Sequence, residues 1–167
     1  MLALILLIFG IGTRFLPHAP NFTPITAIAL FGGVYLNKRF AVLLPLVLMV
    51  ISDLFVGLHD TIFFTWGSFV LIALIGVQLR EHKSPVNVLG ASILSAVLFF
   101  VITNFGAWPT LYPYTLEGLK TCYIMAIPFF RLTLLSSMLY SVVLFGTYEF
   151  IALRVRKTRF AHVLLTS

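Results

Sequence analysis

The chain has 167 residues, 60% of them hydrophobic and only 10% charged, with a formal net charge of +6 and a mean hydropathy of +1.09. A soluble domain of this length cannot present such a composition to water, and several apolar runs approach the roughly 20 residues a helix needs to cross ~30 Å of hydrocarbon. The ~10-residue alternation of a barrel strand is nowhere visible, and neither repeats nor linkers interrupt the chain, so the expectation is an all-α polytopic membrane protein forming one transmembrane domain over 1–167.

The opening run, "MLALILLIFGIG", has no basic residue before its apolar core and no Ala-x-Ala pattern after it, so it is read as a first span and not as a secretory signal. Helices are predicted at 2–16, 24–37, 40–58, 61–79, 86–106 and 126–153, which makes a bundle of six transmembrane helices. The second is short: fourteen residues rise only ~21 Å, so it must be little tilted, sit in thinned bilayer or be enclosed by its neighbours. Thr23 is its predicted N-cap, with Pro24 in the first helical position. In the same helix Gly32 and Gly33 are expected to allow close packing, Ala29 and Gly33 forming a small-xxx-small pair.

Basic residues retard translocation and collect on the cytoplasmic side. With both termini cytoplasmic, the inner segments hold Lys38, Arg39, Arg80, Lys83, Arg154, Arg156, Lys157 and Arg159, against Arg14 and Lys120 outside. This bias predicts a multi-pass protein of the cell (inner) membrane, and topology then explains the positive charge without any nucleic-acid partner. A basic tail beside the bilayer would meet anionic lipid, worth about 1 kcal/mol per residue near the surface.

The same topology gathers the polar residues on one side. The outer segments "RFLPHAPNFT", "GLHD" and "NFGAWPTLYPYTLEGLK" contain Arg14, His18, Asn21, His59, Asn104, Trp108 and Tyr112, whereas the inner connections are short and simply charged. Long aromatic and polar loops on one face resemble the mouth of a ligand site, because such sites need apolar walls and a few oriented donors and acceptors. The bland alternative for the aromatic residues is an interfacial belt.

Two charges fall inside spans: Asp53 in "MVISDLFVGLHD" and Arg131 in "AIPFFRLTLL". A charge at membrane depth costs at least ~2.5 to 3.5 kcal/mol and normally turns inward to a partner, so Asp53 and Arg131 are predicted to pair, either as a structural bolt or, with Arg14 and Asn104, as the floor of the outer pocket. Glu149 is expected to snorkel or to pair with a Lys or Arg at the inner end.

Catalytic signatures are absent: the sequence has no His-Glu-x-x-His, Gly-x-Ser-x-Gly, phosphate-binding Gly-Lys-Ser/Thr loop or Cys-x-x-Cys. Dispersed histidines predict no metal centre and no cofactor. The lone Cys122 excludes an internal disulfide and reads as a small packing residue near the outer interface, although a thiol beside a ligand mouth could meet a soft metal.

The strings "LPHAPNFTPITAIALFGG", "LPLVLMVISDLFVGLH" and "FFVITNFGAWPTLYPYTLEGLKTCYIMAIPFFRLTLLSSMLYSVVLFG" resemble a family of uncharacterised bacterial six-helix membrane proteins, DUF6580-like, over nearly the whole chain. By size, helix count and topology that family is similar to the S components of energy-coupling-factor (ECF) vitamin transporters. The resemblance implies a substrate-binding membrane subunit that takes up a vitamin or related micronutrient from an outward pocket, working with a transmembrane coupling subunit and two ATPases or, in rare cases, alone. S components commonly dock through an Ala-x-x-x-Ala motif that span one here lacks. Solitary S-component-like proteins proposed for cobalamin place a cysteine on the cobalt, which makes cobalamin or a precursor a candidate substrate and Cys122 a candidate cobalt ligand. On this reading the substrate contacts are Arg14, His18, Asn21, Asp53, His59, Asn104, Trp108, Tyr112 and Arg131, and no bond is made or broken. The alternatives are a membrane enzyme on a lipid or cofactor precursor, with His18, Asp53 and His59 as acid and base, or a structural accessory protein.

Overall fold

In the computed structural model, which describes every residue except His18, Arg159, Thr166 and Ser167, the protein is all-α. Seven helices are formed among the described residues: α1 (Leu2–Gly12, extended by a 3-10 turn at Thr13–Phe15), α2 (Ile25–Tyr35), α3 (Leu43–Val56), α4 (Ile62–Leu79, extended by a 3-10 turn at Arg80–His82), α5 (Pro85–Leu111), α6 (Leu116–Val155) and the short α7 (Ala161–Leu165). Three of these have the length and composition of membrane spans: α4 with its 3-10 extension at 21 residues, α5 at 27 and α6 at 40. The remaining apolar helices before α7 are shorter, covering Leu2–Phe15, Ile25–Tyr35 and Leu43–Val56. Large apolar side chains such as Phe55, Phe63 and Val86, each 77% exposed, stud the outside of the bundle, a surface suited to lipid and not to water.

Short α2 lies at the centre. Ten of its eleven residues, Thr26 through Tyr35, are buried, and it packs against α1, α3, α4, α5 and α6. At about 16 Å it is too short to cross a bilayer by itself, and enclosure by neighbours resolves that shortfall. Its cap differs from expectation. The helix begins at Ile25 with Pro24 as N-cap and no capping side-chain bond, so Thr23 is outside it. The preceding turn explains the shift: Phe22 N–H donates to the Ala19 carbonyl (3.0 Å) across Pro20 and Asn21, and Asn21 has φ 60°. Proline second and a left-handed Asn third is type II turn chemistry, which leads the chain directly into Pro24.

The close crossing of α2 and α4 requires glycine on both sides. A Cβ at Gly33 would stand 2.2 Å from the Ala73 carbonyl oxygen, and one at Gly76 would stand 2.3 Å from that of Leu30. This bears out the small-residue contact predicted for Gly33. Below the crossing, the Arg80 guanidinium donates to the carbonyls of Gly33 and Leu36, both at 2.7 Å, closing the C-terminal end of α2. Beside it Glu149 accepts from Tyr35 Oη (2.6 Å) and pairs with Lys83, as expected of an acid near that end of α6. The two basic residues should differ sharply on truncation. Lys83 and Glu149 are each about one-third exposed, so Lys83→Ala should cost at most about 1 kcal/mol. Arg80→Ala orphans two carbonyls at a buried helix end and should cost about 2–4 kcal/mol in a detergent-denaturation curve.

The α5–α6 connection is also tighter than the sequence suggested. Residues 104–120 were expected to form a long outer loop, but α5 continues to Leu111, α6 starts at Leu116, and only Tyr112–Thr115 lie between them. Thr115 accepts the Gly118 N–H (3.1 Å) as a true N-cap, and Pro109 falls in the last turns of α5, where few helical bonds remain to be lost.

Candidate functional site

At the end of the bundle formed by the α1 C-terminus, the α2 N-terminus, the α3–α4 turn and the facing parts of α5 and α6, two adjoining cavities open. The larger, about 280 Å³, is bordered by Asn21, His59, Thr61, Thr65, Phe99, Phe100, Thr103, Asn104, Phe129, Phe130 and Thr133. The second, about 170 Å³, shares Asn21, His59, Thr65, Phe99 and Thr133 and extends inward to Arg14, Thr26 and Met49. A third, about 210 Å³, joins the first at Asn104, Ala107, Ala126 and Phe129 and reaches Tyr112 and Cys122.

Helix geometry supplies this lining. Phe99, Phe100, Thr103, Asn104 and Ala107 recur at three- and four-residue intervals on one face of α5, as do Ala126, Phe129, Phe130 and Thr133 on α6. The hydroxyls of Thr103 and Thr133 donate back to the carbonyls of Phe99 (2.7 Å) and Phe129 (3.2 Å), and Asn104 Nδ2 donates to that of Phe100 (2.8 Å). Such back-bonding holds these groups in one rotamer and leaves their oxygens as acceptors. His59 Nε2 lies 3.1 Å from Thr65 Oγ1. The connection between the 3-10 turn and α2 (residues 16–24) is anchored beside the cavity by Phe22, whose ring sits 5.8 Å from that of Tyr140.

The charges close to the cavity neutralise one another. Arg14 Nη2 donates to Asp53 Oδ1 (2.8 Å), its Nη1 to Met49 Sδ (2.9 Å) and to Ser52 Oγ, while Trp66 Nε1 donates to Asp53 Oδ2 (2.9 Å). The side chains of Arg14 and Asp53 are 8% and 2% exposed. The last turn of α3 thus clasps the end of α1, with Gly57 (φ 118°) ending α3 in a conformation natural to glycine.

Several expectations are corrected by this arrangement. Asp53 pairs with Arg14, not with Arg131, because the 3-10 turn after α1 meets the last turn of α3. Arg131 is exposed on the outside of α6 and has no partner among the described residues. Trp108 lies outside the cavity: its Nε1 donates to the Pro113 carbonyl (3.0 Å) and its ring stacks on Tyr114 (4.5 Å, 12°), which fastens the α5–α6 turn. His18 lies outside the described residues. Arg14, Asn21, His59 and Asn104 do converge on the cavities, with Tyr112 at the adjoining one. Cys122 is buried, with Sγ 3.4 Å from the Asn104 carbonyl, and no group of three His, Cys, Asp or Glu gathers among the described residues.

Across known proteins, a family model described as "Family of unknown function (DUF6580)" matches residues 1–160. The chain belongs to the DUF6580 family. No curated protein and no solved structure matches it.

In this DUF6580 protein the residues that sequence reasoning missed are mostly hydroxyls and phenylalanines: Thr65, Thr103, Thr133, Phe99, Phe129 and Phe130, together with Trp66 beside Asp53. One signal was available. Thr103 and Asn104 are adjacent polar residues within a long apolar run, and Thr133 follows Phe129 by one helical turn.

Proposed function

We propose that this DUF6580 protein is a six-span protein of the cell membrane with both termini in the cytoplasm, and that it binds a small, uncharged, vitamin-like solute in the cavity at its outer end as the substrate-binding subunit of an uptake system. The observation that supports this most is the character of the lining. Hydroxyls, one histidine and two amides face four phenylalanine rings, while the neighbouring Arg14–Asp53 pair is internally satisfied. An orienting set of neutral donors and acceptors between flat apolar walls favours a planar, hydrogen-bonding solute with no net charge. Volumes of 170 to 280 Å³ favour a compact vitamin or a precursor over an intact corrinoid.

Binding without chemistry is the preferred reading because the Asp53 carboxylate is held by Arg14 and Trp66 and borders none of these cavities, which keeps it from a bound solute. The excess of basic residues at the Lys83 end supports a cytoplasmic position for that end and an outward position for the cavity. The sequence resemblance to S components is the support for the proposed partners, an energy-coupling membrane subunit with two ATPases, with action alone as the second reading.

Native mass spectrometry of the purified protein against a panel of vitamins and their precursors, cobalamin included, tests the reading. One compound is expected to be retained and released with unchanged mass, and Asn104→Leu or Thr133→Val should weaken its binding at least tenfold. Release of a chemically altered product would favour an enzyme, and retention of nothing would contradict uptake.

A further inference from the structure

Arg131 is the one basic side chain within the apolar stretch of α6, and it faces outward. Two cross-helix bonds fix its depth. Cys122 Sγ donates to the Asn104 carbonyl (3.4 Å), and Ser137 Oγ to that of Ser92 (2.8 Å), which places Arg131 level with about Ser95 to Leu98, at the middle of α5. Along α6 it stands eleven residues from Lys120 and eighteen from Glu149, distances of about 16 and 27 Å. An extended arginine side chain spans roughly 7 Å, so snorkelling reaches neither end. Its neighbours on the same face, Ile124, Ile127, Leu135 and Leu139, are 47 to 63% exposed, and Arg131 has no hydrogen bond or ion pair among the described residues.

A guanidinium at that depth cannot be left against hydrocarbon. Its partner must therefore come from outside the chain, and three sources differ in chemistry. Lipid phosphates lie at the interface and not at mid-depth. A second copy facing the same way across a two-fold axis would bring Arg131 against Arg131, and the acids within the helices at membrane depth, Asp53 and Glu149, are already engaged by Arg14 and Lys83. We infer that the outer face of α6 around Arg131 docks on a different integral membrane protein, one that carries an aspartate or glutamate within a transmembrane segment. Arg131 supplies the polar contact, and the apolar residues one and two turns away supply the surrounding packed surface. The requirement follows from Arg131 and from α6 crossing a membrane, and is independent of what the cavity binds.

The test places a photoreactive benzoyl-phenylalanine at Leu135, one turn from Arg131, in the full chain expressed in its source cells. An adduct to one membrane protein with an acidic residue in a transmembrane segment is expected. Its yield should fall at least tenfold in Arg131→Leu, and Arg131→Glu combined with the partner's acid changed to arginine should restore it. The isolated Arg131→Leu protein in lipid nanodiscs should melt at or above the temperature of the wild type, which separates loss of a partner from loss of fold. An unchanged adduct yield in Arg131→Leu, adducts only to phospholipid or to a second copy of this chain, a crosslinked partner with no membrane-embedded acid, or a lower melting temperature for the isolated variant would each overturn the inference. Failure to find a ligand for the cavity would leave these outcomes unaffected.

Discussion

Replacing Asp53 by alanine is expected to destabilise the protein by about 3–5 kcal/mol, because it leaves the Arg14 guanidinium buried and without its counter-charge. The Arg14 side chain is only 8% exposed, and the same change removes the acceptor of Trp66 Nε1. Truncating Arg14 to alanine should do comparable harm from the other side. The double variant Arg14→Met with Asp53→Leu should recover most of the loss, since apolar groups of similar volume often replace a buried pair without penalty. Trp66→Phe, which removes one hydrogen bond and leaves the ion pair, should cost only about 1–3 kcal/mol. Denaturant titrations in mixed micelles, followed by tryptophan emission for all but the Trp66 variant and by helical circular dichroism throughout, would order the four variants. A double variant as unstable as Asp53→Ala would show that the pair is not the bolt between α1 and α3.

A substitution at Gly33 should be more damaging than its size suggests. Even the single methyl of Gly33→Ala would meet the Ala73 carbonyl oxygen at 2.2 Å and the Gly76 Cα at 2.8 Å, both of them backbone atoms that no rotamer change can move. Since α2 is the central helix, separating it from α4 would disturb its contacts with α1, α3, α5 and α6 as well. A loss upwards of about 3 kcal/mol, or failure to recover folded protein, is expected. Gly67 and Gly90 serve as controls. Neither would place a Cβ within 4 Å of another group, so alanine at either is expected to be neutral or slightly stabilising through its better helix propensity. Equal melting temperatures for Gly33→Ala and Gly67→Ala would refute the close crossing.

Much of this architecture was legible because membrane helices announce themselves by composition. The apolar runs located six helical segments, the brevity of the second left enclosure as one of three options, and Gly33 marked the tight crossing. Rotation of the helices was not legible. In α6 apolar residues occur all round, so the inward turn of Thr133, Ser137 and Ser141 and the outward turn of Arg131 could not be separated by hydropathy. The buried serines were the missing clue: Arg131 lies about 200° around the helix from Thr133, on the face opposite these small polar residues. The partner of Asp53 was misassigned for a related reason. Arg14, at the end of the predicted first helix, was counted with the outer segment and only as an addition to an Asp53–Arg131 pair, whereas the 3-10 turn after α1 sets it beside the last turn of α3. Trp108 resembled a stacking platform in sequence, but a proline-terminated turn offered its indole a nearer carbonyl.

The proposed uptake role requires the space between residues 16–24, α4, α5 and α6 to hold a small solute. Ala126 borders both the cavity at Thr133 and the one at Cys122, so Ala126→Phe fills the junction between them without removing any side-chain hydrogen bond. The decisive measurement is titration calorimetry of the compound retained by the wild type, performed on the wild-type and Ala126→Phe proteins at equal melting temperature. Micromolar or tighter binding to the wild type and at least a hundredfold weaker binding to the variant are expected; equal affinity for both would place the ligand elsewhere and contradict the proposed site.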